Sequence, residues 1–313
     1  MAKNRPISKG GADAFNPESL RAHVLTRLDD ALGQPLSAGL YLVATPIGNL
    51  ADFTLRAATI LARADSVYCE DTRHSRQLLS RYGISRSLKP FHEHNEEREL
   101  PRVLEELAAG HTIALISDAG TPLVSDPGFK LVRAALSSGH QVISIPGPSA
   151  PIAALACSGL PTDRFLFAGF LPPKQAARRA RLKELATIPA TLIFFEAPSR
   201  LPDALADMAE TLGSTRDAVV ARELSKLHEE VRRLPLGELA SALAGTEPRG
   251  EIVVLVGPPA PAEVSDAEIV ERLREALAHS SARDASRAVA ESLGVPKSRV
   301  YDLSVRIRRG DDA

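Results

Sequence analysis

The sequence predicts two consecutive α/β domains followed by a small helical domain. Short apolar segments alternate with segments of helical spacing from residue 39 to residue 256, which is the pattern of strand–helix–strand units around a mainly parallel sheet. A Pro-rich segment at 257–265 has the composition of a linker. Beyond it, two amphipathic segments joined by Gly294 and Pro296 indicate a helix-turn-helix.

The whole-chain composition is that of a folded protein rather than a disordered one. The 313 residues are 44% hydrophobic and 25% charged, and their formal net charge is -1. This charge excludes a generally basic nucleic-acid binder, so any RNA contact must come from local patches. Because no apolar run is long enough to span a bilayer and no signal-peptide core is present, we expect a soluble cytoplasmic protein.

We place the domain boundaries where the composition changes. Residues 1–37 are polar and rich in Gly and Pro, so we expect a poorly ordered extension in which residues 19–32 can form a short helix. The N-terminal α/β domain then covers residues 38–150 and the C-terminal α/β domain residues 151–258. The helix-turn-helix-like domain covers residues 264–313.

The strands are predicted from apolar runs that end in turn-forming residues. In the first domain these runs are LYLVAT, SVYCE, TIALISD and QVISIPG. In the second domain they are DRFLFAGFL, ATLIFFEAP, AVVARELS and GEIVVLVG. The intervening segments carry helical spacing, as in DFTLRAATILARA, RHSRQLLSRYG and GFKLVRAALSSG.

Four loops at predicted strand ends are small, polar and turn-forming: 45–50, 70–73, 117–122 and 146–150. Ligands of open parallel sheets bind beyond the carboxyl ends of the strands, so these loops predict a ligand cleft. The first loop is not GxGxxG, which disfavours a dinucleotide site, and the chain lacks the GxxxxGK[ST] and GxSxG motifs.

Three carboxylates in these loops have two interpretations each. Asp118 can hold a ribose hydroxyl or an amine, or it can be an ordinary turn or cap residue. Glu70 and Asp71 can form an acid/base site, or they can be acidic residues that favour a helix N-terminus. The residues alone leave these alternatives open.

No metal site or disulfide is expected. His92 and His94 form an HxH pair without a third ligand at a familiar spacing, so a solvated loop is favoured. Cys69 and Cys157 belong to no CxxC or Cys/His cluster and are interpreted as small buried hydrophobes.

Two segments are locally basic and can contact phosphates. Residues 174–183 contain five Lys or Arg and no acid, and residues 283–309 contain seven basic and three acidic residues. The alternative for each is a solvated helix face. A base-stacking platform is not evident, because the chain has no Trp and is 4% aromatic.

Six of these segments together resemble the tetrapyrrole methylase superfamily. They are LYLVATPIGNLADFTLRA, EDTRHSRQLL, ISDAGTPLVSDPGFKLV, IPGPSAPIAALACSGLPTDRFLFAGFLPPK, FFEAPSRL and ARELSKLHEE. Within that superfamily they are similar to the members that methylate ribosomal RNA. The resemblance covers about residues 39–256, and GVPKSRVYDL resembles a helix-turn-helix domain that these members carry.

The resemblance implies a fold, a cofactor and a reaction. The family has two α/β domains with a ligand cleft between them, binds S-adenosylmethionine in that cleft, and commonly forms homodimers. The RNA-methylating members act on the 2′-hydroxyl of a cytidine in the decoding region of 16S rRNA, as free rRNA or in the 30S subunit.

The resemblance also implies site residues. Matched to the cofactor site are Pro46, Gly48, Asp118, Gly120, Thr121, Pro122, Ser149, Ala150 and Leu171, with 250–252 near the last strand that closes it. Candidates for the base or a substrate clamp are Glu70, Asp71, Lys226, Glu196 and Glu223. Candidates for RNA contacts are Arg73, Lys174, Arg178, Arg200, Arg222, Lys297 and Arg299. The alternative for the charged residues is a salt-bridge network between the domains.

Two other functions are weighed against methylation of ribosomal RNA. One is a methyltransferase of the same fold that acts on a tetrapyrrole or another small molecule. The loop Ser-Asp-Ala-Gly-Thr-Pro at 117–122 replaces the Gly-Asp-Pro turn of the tetrapyrrole enzymes, which argues against it. The other is a non-catalytic RNA-binding factor of ribosome assembly.

Overall fold

Two five-stranded sheets form the larger part of the chain in a computed structural model that describes residues 16–246, 248–260 and 264–309. Residues up to 258 form one compact unit and those from 259 onward a second. The division of the first unit at residue 150 stays a prediction. The first 15 residues of the predicted extension lie outside the described residues.

The first sheet is parallel throughout. Its elements are α1 (Pro17–Gly33), β1 (Gly39–Val43), α2 (Leu55–Arg63), β2 (Ser66–Cys69), α3 (Thr72–Arg81), β3 (Leu88–Pro90), α4 (Glu96–Ala108), β4 (Thr112–Ile116), α5 (Phe129–Ser137) and β5 (Val142–Ile145). The strand order is β3-β2-β4-β1-β5. Buried apolar side chains cover both faces, which explains why its strands are continuous apolar runs.

The order of these strands places a switch point between β1 and β4. The chain leaves β1 toward β2 on one side, and it leaves β4 toward β5 on the other. A crevice opens at the carboxyl ends of two adjacent strands whose connections run in opposite directions. The predicted loops 45–50 and 117–122 both lie at this point.

The second sheet is mixed, with the order β6-β7-β10-β8-β9. Its elements are α6 (Ala150–Ser158), β6 (Phe165–Phe170), α7 (Gln175–Leu185), β7 (Thr191–Glu196), α8 (Leu201–Leu212), β8 (Asp217–Arg222), β9 (Glu230–Pro235), α9 (Leu236–Leu243) and β10 (Ile252–Val256). Only β6 and β7 pair in parallel, and the other three pairs are antiparallel. The last strand in sequence, β10, is therefore central in the sheet.

Part of the predicted extension is helical. In α1 the side chain of Asn16 accepts hydrogen bonds from the backbone N–H groups of Glu18 and Ser19, at 3.0 and 3.1 Å. This cap satisfies donors that have no partner within the helix. None of the residues of α1 is buried, which explains why apolar patterning gave so weak a signal.

The second unit contains three helices around its own core. They are α10 (Asp266–Leu277), α11 (Ala282–Leu293) and α12 (Lys297–Arg309). Its buried side chains include Ile269, Leu273, Val289 and Val300. Helix α11 ends at Gly294 in the left-handed conformation, with φ of 65°, and α12 starts after Pro296, as the predicted helix-turn-helix requires.

Candidate active site

The loops after β1 and β4 are joined at the switch point. Thr45 donates its backbone N–H to Gly120 O at 2.8 Å, and Gly120 N–H donates to Thr45 O at 3.0 Å. The Thr121 hydroxyl donates to Pro148 O at 3.0 Å, which adds the loop after β5. Three of the four predicted loops thus form one hydrogen-bonded rim.

A cavity of about 430 Å³ lies against this rim, between the loops of the first sheet and the second sheet. Such a volume is within the roughly 300–1,000 Å³ of small-molecule sites. Residues from both sheets form its wall: Ile47, Ala119, Gly120, Thr121, Val124, Ser125, Asp126, Ser149, Ala150, Pro151, Phe170, Phe195, Glu196, Ala197, Pro198, Leu224, Gly250, Glu251, Ile252 and Val253.

Every predicted cofactor residue is either in this wall or adjacent in sequence to a residue of the wall. Gly120, Thr121, Ser149 and Ala150 belong to the wall, as do residues 250–252. The others are sequence neighbours of wall residues without belonging to it: Pro46, Gly48, Asp118, Pro122 and Leu171. Their role in cofactor binding stays a prediction.

The fourth predicted loop, after β2, lies close to the rim through Asp118. One Asp118 carboxylate oxygen accepts a hydrogen bond from Asp71 N–H at 3.1 Å. The Asp71 carboxylate in turn caps α3, accepting from Arg73 N–H at 2.7 Å. Hydrogen bonds from Arg73 lower the pKa of Asp71. This arrangement favours the capping interpretation of Asp71 over a role as base.

Glu70 and Asp126 lie in the acidic part of the site. Burial raises the pKa of Glu70, and the charge of Asp118 raises it further. Burial also raises the pKa of Asp126 to about 6; a hydrogen bond from Ser117 opposes this, while the charges of Glu70 and Asp118 add to it. A carboxylate with a pKa near neutrality is suited to accept a proton.

Asp126 is a site residue that the sequence reasoning missed. Of the carboxylates in the wall, Glu196 pairs with Arg200 at 2.8 Å and Glu251 pairs with Lys226 at 3.2 Å. Among the described residues, no cation lies within ion-pair distance of Asp126. The available signal was a second carboxylate in the same strand-end loop, directly before a Pro-Gly turn.

Lys226 is part of an ion-paired clamp that reaches the cavity through Glu251, a residue of its wall. Its Nζ lies 2.9 Å from Glu223 Oε1 and 3.2 Å from Glu251 Oε2. Burial lowers the pKa of Lys226, but the hydrogen bond from Lys226 to Glu223 and the charge of Glu251 outweigh this and raise it. A lysine base needs a depressed pKa, so the prediction of Lys226 as a base is disfavoured.

The segment that carries Lys226 also reaches the first sheet. Asn49 donates its backbone N–H to the Ser225 hydroxyl at 3.2 Å. Glu223 and Ser225 have φ of 53° and 61°, which is costly for residues other than Gly. The clamp of Glu223, Lys226 and Glu251 thus holds a strained turn against the loop after β1.

The residues predicted to contact RNA differ in how far they are buried. Arg178 is wrong as a surface contact, because it is 4% exposed and its guanidinium lies 2.6 Å from the Asp207 carboxylate. Arg200 and Arg222 are half-buried in ion pairs with Glu196 and Glu230. The remaining four are exposed: Arg73, Lys174, Lys297 and Arg299.

The remaining predictions concern metal sites, cysteines and membrane-spanning helices. No group of three His, Cys, Asp or Glu side chains suited to a metal ion occurs in the described part of the chain. The rings of His92 and His94 lie 6.1 Å apart. Cys69 is buried and Cys157 is exposed, and neither forms a disulfide. Within residues 16–246, 248–260 and 264–309, no helix has the length and apolar character of a membrane span.

Comparison with known proteins identifies the family. Residues 39–240 match the family model of Tetrapyrrole (Corrin/Porphyrin) Methylases, and residues 263–308 match the model of the RsmI C-terminal HTH domain. The ribosomal RNA small subunit methyltransferase I of Mesorhizobium japonicum is 54% identical over 260 residues, which cover 83% of this chain and 87% of that protein. The protein of the same name from Pseudomonas aeruginosa is 48% identical over 277 residues, covering 87% and 98%.

Solved structures agree on the fold. A diphthine synthase superposes with a TM-score of 0.55 at 18% identity, covering 70% of this chain and 89% of that one. The uroporphyrin-III-C-methyltransferase of Thermus thermophilus superposes with a TM-score of 0.51 at 21% identity, covering 70% and 94%. The predicted fold class and the family resemblance are thereby confirmed. The chain belongs to the tetrapyrrole methylase family, in the group of the ribosomal RNA small subunit methyltransferase I proteins.

Proposed function

We propose that this protein is an S-adenosylmethionine-dependent methyltransferase that methylates the ribose 2′-hydroxyl of a cytidine in the decoding region of 16S rRNA. The observation that carries the proposal is the cavity at the switch point, in a chain that is about half identical, over the aligned residues, to proteins named for methylation of small-subunit rRNA. We further propose that it acts in the cytoplasm, as a homodimer, on 16S rRNA or the 30S subunit.

The residues of the cavity fit the cofactor. S-Adenosylmethionine supplies an electrophilic methyl group on a positively charged sulfur. The acidic groups Asp118 and Glu70, next to the loop after β4, suit that positive charge and the amino group. The N-terminus of α6, which begins beside Ser149, suits a carboxylate, and the Ser149 hydroxyl makes no capping bond that would occupy it.

The chain's own residues have two tasks in the reaction. They must hold the ribose 2′-oxygen toward the methyl group, and one of them must take the hydroxyl proton as the oxygen–carbon bond forms and the sulfur–carbon bond breaks, with its electron pair left on the sulfur. A carboxylate oxygen of Asp126 is best placed for the proton, because it is in the wall and has no cationic partner among the described residues. Glu70 is a second carboxylate of the site with a raised pKa.

The positioning task falls to the two sides of the cavity. The hydrogen-bonded rim of Thr45, Gly120 and Thr121 keeps the loops of the first sheet in fixed geometry. The Glu223–Lys226–Glu251 clamp does the same for the second sheet. Preorganised walls of this kind reduce the entropy cost of bringing the two reactants together.

The test is methylation of defined rRNA. Purified protein is incubated with labelled S-adenosylmethionine and either naked 16S rRNA or 30S subunits lacking the modification, and nuclease fragments are mapped by mass. A single 2′-O-methylcytidine in the decoding region is expected, lost with Asp126→Asn and kept with Asp163→Asn, an exposed Asp outside the wall. Cofactor binding without RNA methylation would point to a small-molecule substrate. RNA binding without cofactor binding would point to an assembly factor.

A further inference from the structure

Phe170 combines cavity lining with solvent exposure. Its side chain belongs to the cavity wall, yet the residue is 55% exposed. Phe195 is the other aromatic residue in the wall formed by the described residues. A large apolar ring that lines the cavity and keeps more than half of its surface exposed has lost little surface to the core, so packing alone does not explain its position.

A β-bulge directs this ring toward the cavity. The pairing of β6 with β7 shifts register between Phe167 and Gly169, and Gly169 has φ of 66°. In a regular strand, residues three apart point to opposite faces. The extra residue brings Phe167 and Phe170 to the same side, where both contact Phe195. Bulges next to active sites often redirect a side chain in this way.

Two further aromatic rings support the ring of Phe170. Its centroid lies 5.5 Å from that of Phe195, and Phe195 lies 4.9 Å from Phe167. Such tilted and edge contacts are favourable aromatic geometries. The three rings make a supported platform whose outer member keeps an exposed surface at the mouth of the cavity.

The charges nearby favour a nucleic acid as the occupant of this surface. Lys174 follows four residues after Phe170 and is exposed at the start of α7, and no acidic partner lies within ion-pair distance of it among the described residues. Single-stranded nucleic acids bind where aromatic rings for the bases adjoin cations for the phosphates.

We propose that Phe170 stacks on the target nucleobase of the RNA substrate and thereby places its ribose over the cavity. This inference rests on the proposed function. Enzymes that modify a nucleotide take it out of its stack, and an aromatic side chain replaces the lost stacking. Phe170 is therefore a positioning residue, and removal of the hydroxyl proton is assigned to Asp126, which belongs to the same cavity wall.

The test compares Phe170→Leu and Phe170→Ala with Phe170→Tyr and with the matched control Phe165→Ala. Phe165 is an exposed ring on the same strand, 46% exposed and outside the wall. Stacking on one base is worth about 1–3 kcal/mol, so kcat/KM for RNA should fall roughly 5- to 150-fold in the Leu and Ala variants. The Tyr and Phe165→Ala variants should stay within about twofold of the wild type.

Three further measurements separate the alternatives. A fluorescent cytidine analogue at the target position should be quenched by the wild type and by Phe170→Tyr, but not by Phe170→Leu. Cofactor affinity by calorimetry and sedimentation of the free protein should be unchanged in every variant. A loss of cofactor affinity in Phe170→Ala would assign the ring to the cofactor, and a change in sedimentation would assign it to a contact between protein chains.

An unchanged kcat/KM for RNA in Phe170→Ala would overturn the inference outright. If the wild type itself fails to methylate RNA, the proposed function has failed instead. The quenching experiment needs no methyl transfer, so it tests the stacking contact even in that case.

Discussion

The side chain of Lys226 lies directly against the backbone of Gly48. A Cβ atom at position 48 would be 2.3 Å from Lys226 Cγ, a separation that real Cβ atoms do not tolerate. Together with the hydrogen bond from Asn49 to Ser225, this contact joins the loop after β1 to the turn after β8. The absence of a side chain at position 48 is what lets the two sheets meet at the edge of the cavity.

Replacement of Gly48 should therefore destabilise the protein through this contact. We expect Gly48→Ala to lower the free energy of unfolding by about 1–3 kcal/mol, as for other overpacked sites. The cost should shrink, without vanishing, in a Lys226→Ala background, because the φ of Gly48 also disfavours Ala. Urea denaturation of the four proteins of the double-mutant cycle measures this. Gly33→Ala, where a Cβ meets nothing within 4 Å, is the control. Equal costs in both backgrounds would contradict the proposed contact.

Methyl transfer should depend on the ionisation of Asp126. Because its pKa is raised to about 6, the carboxylate accepts a proton only above that pH. We expect the single-turnover rate to rise between pH 5 and pH 7, with a midpoint near 6, and Asp126→Asn to reduce the rate about 10²- to 10⁴-fold. In Lys226→Ala the midpoint should stay in place. A wild-type rate that is flat from pH 5 to pH 7 would exclude Asp126 as the proton acceptor.

The same raised pKa has a consequence for stability. The folded state binds the proton of Asp126 more tightly than the unfolded chain, whose Asp pKa is about 3.9. Ionised Asp126 therefore destabilises the fold above pH 6, and this penalty disappears as the pH falls below about 4. Asp126→Asn should raise Tm at pH 8 by a few degrees and leave it nearly unchanged at pH 4. Thermal unfolding of the cofactor-free protein at both pH values tests this, and a Tm gain that is equal at the two would refute it.

Arg178 should act on stability rather than on RNA binding. Removing one partner of a buried ion pair leaves an uncompensated charge and costs about 3–5 kcal/mol. Asp207 is 1% exposed but keeps Arg179 as a second partner at 2.6 Å, so we expect Arg178→Ala to cost about 1–3 kcal/mol, less than that full penalty. Arg181→Ala removes an exposed pair with Glu184 and should cost under about 1 kcal/mol. Urea denaturation compares the two variants. An intact stability with weakened RNA binding in Arg178→Ala would restore its predicted role.

The helical second unit should contribute electrostatic affinity for RNA. Deletion of residues 264–313 removes the basic segment 283–309 and should weaken binding of rRNA. The salt dependence should fall by roughly one unit of slope for each phosphate contact that is lost. Filter binding from low to moderate salt measures both quantities, and calorimetry should show unchanged affinity for S-adenosylmethionine. An unchanged slope would assign the unit another role.

The position of the site can be predicted from the sequence more completely than the chemical roles of its residues. Strand-end loops can be predicted because apolar runs end abruptly in Gly and Pro, and the carboxyl ends of parallel strands share one edge of a sheet. That reasoning predicts the loops that contain Gly120, Thr121, Ser149 and Ala150, and the family resemblance adds the individual residues. It missed Asp126, because the lack of a cationic partner is a property of the folded state and has no sequence pattern.

The second property that the sequence alone does not predict is which charged residues are buried. Arg178 and Arg179 are neighbours in one basic segment, yet only Arg178 is buried, since α7 packs against α8 and Asp207 lies beneath it. Two strands are also absent from the sequence prediction. In β3 the chain has three residues that include a Pro, and in β9 it has the charged run of residues 230–235. Both are edge strands, where one free side allows residues that central strands avoid.

Because β10 is the central strand of the second sheet, it determines when that sheet can form during synthesis. Strands β7 and β8 both pair with residues 252–256, so neither finds its inner neighbour until that segment has been synthesised. The first sheet also waits for its central strand, because β1 and β2 both pair with β4, but it is complete once β4 and β5 have been made, well before β10. Translation adds about 5–20 residues per second. The first sheet can therefore be complete on the ribosome while the second sheet stays open until β10 has been synthesised.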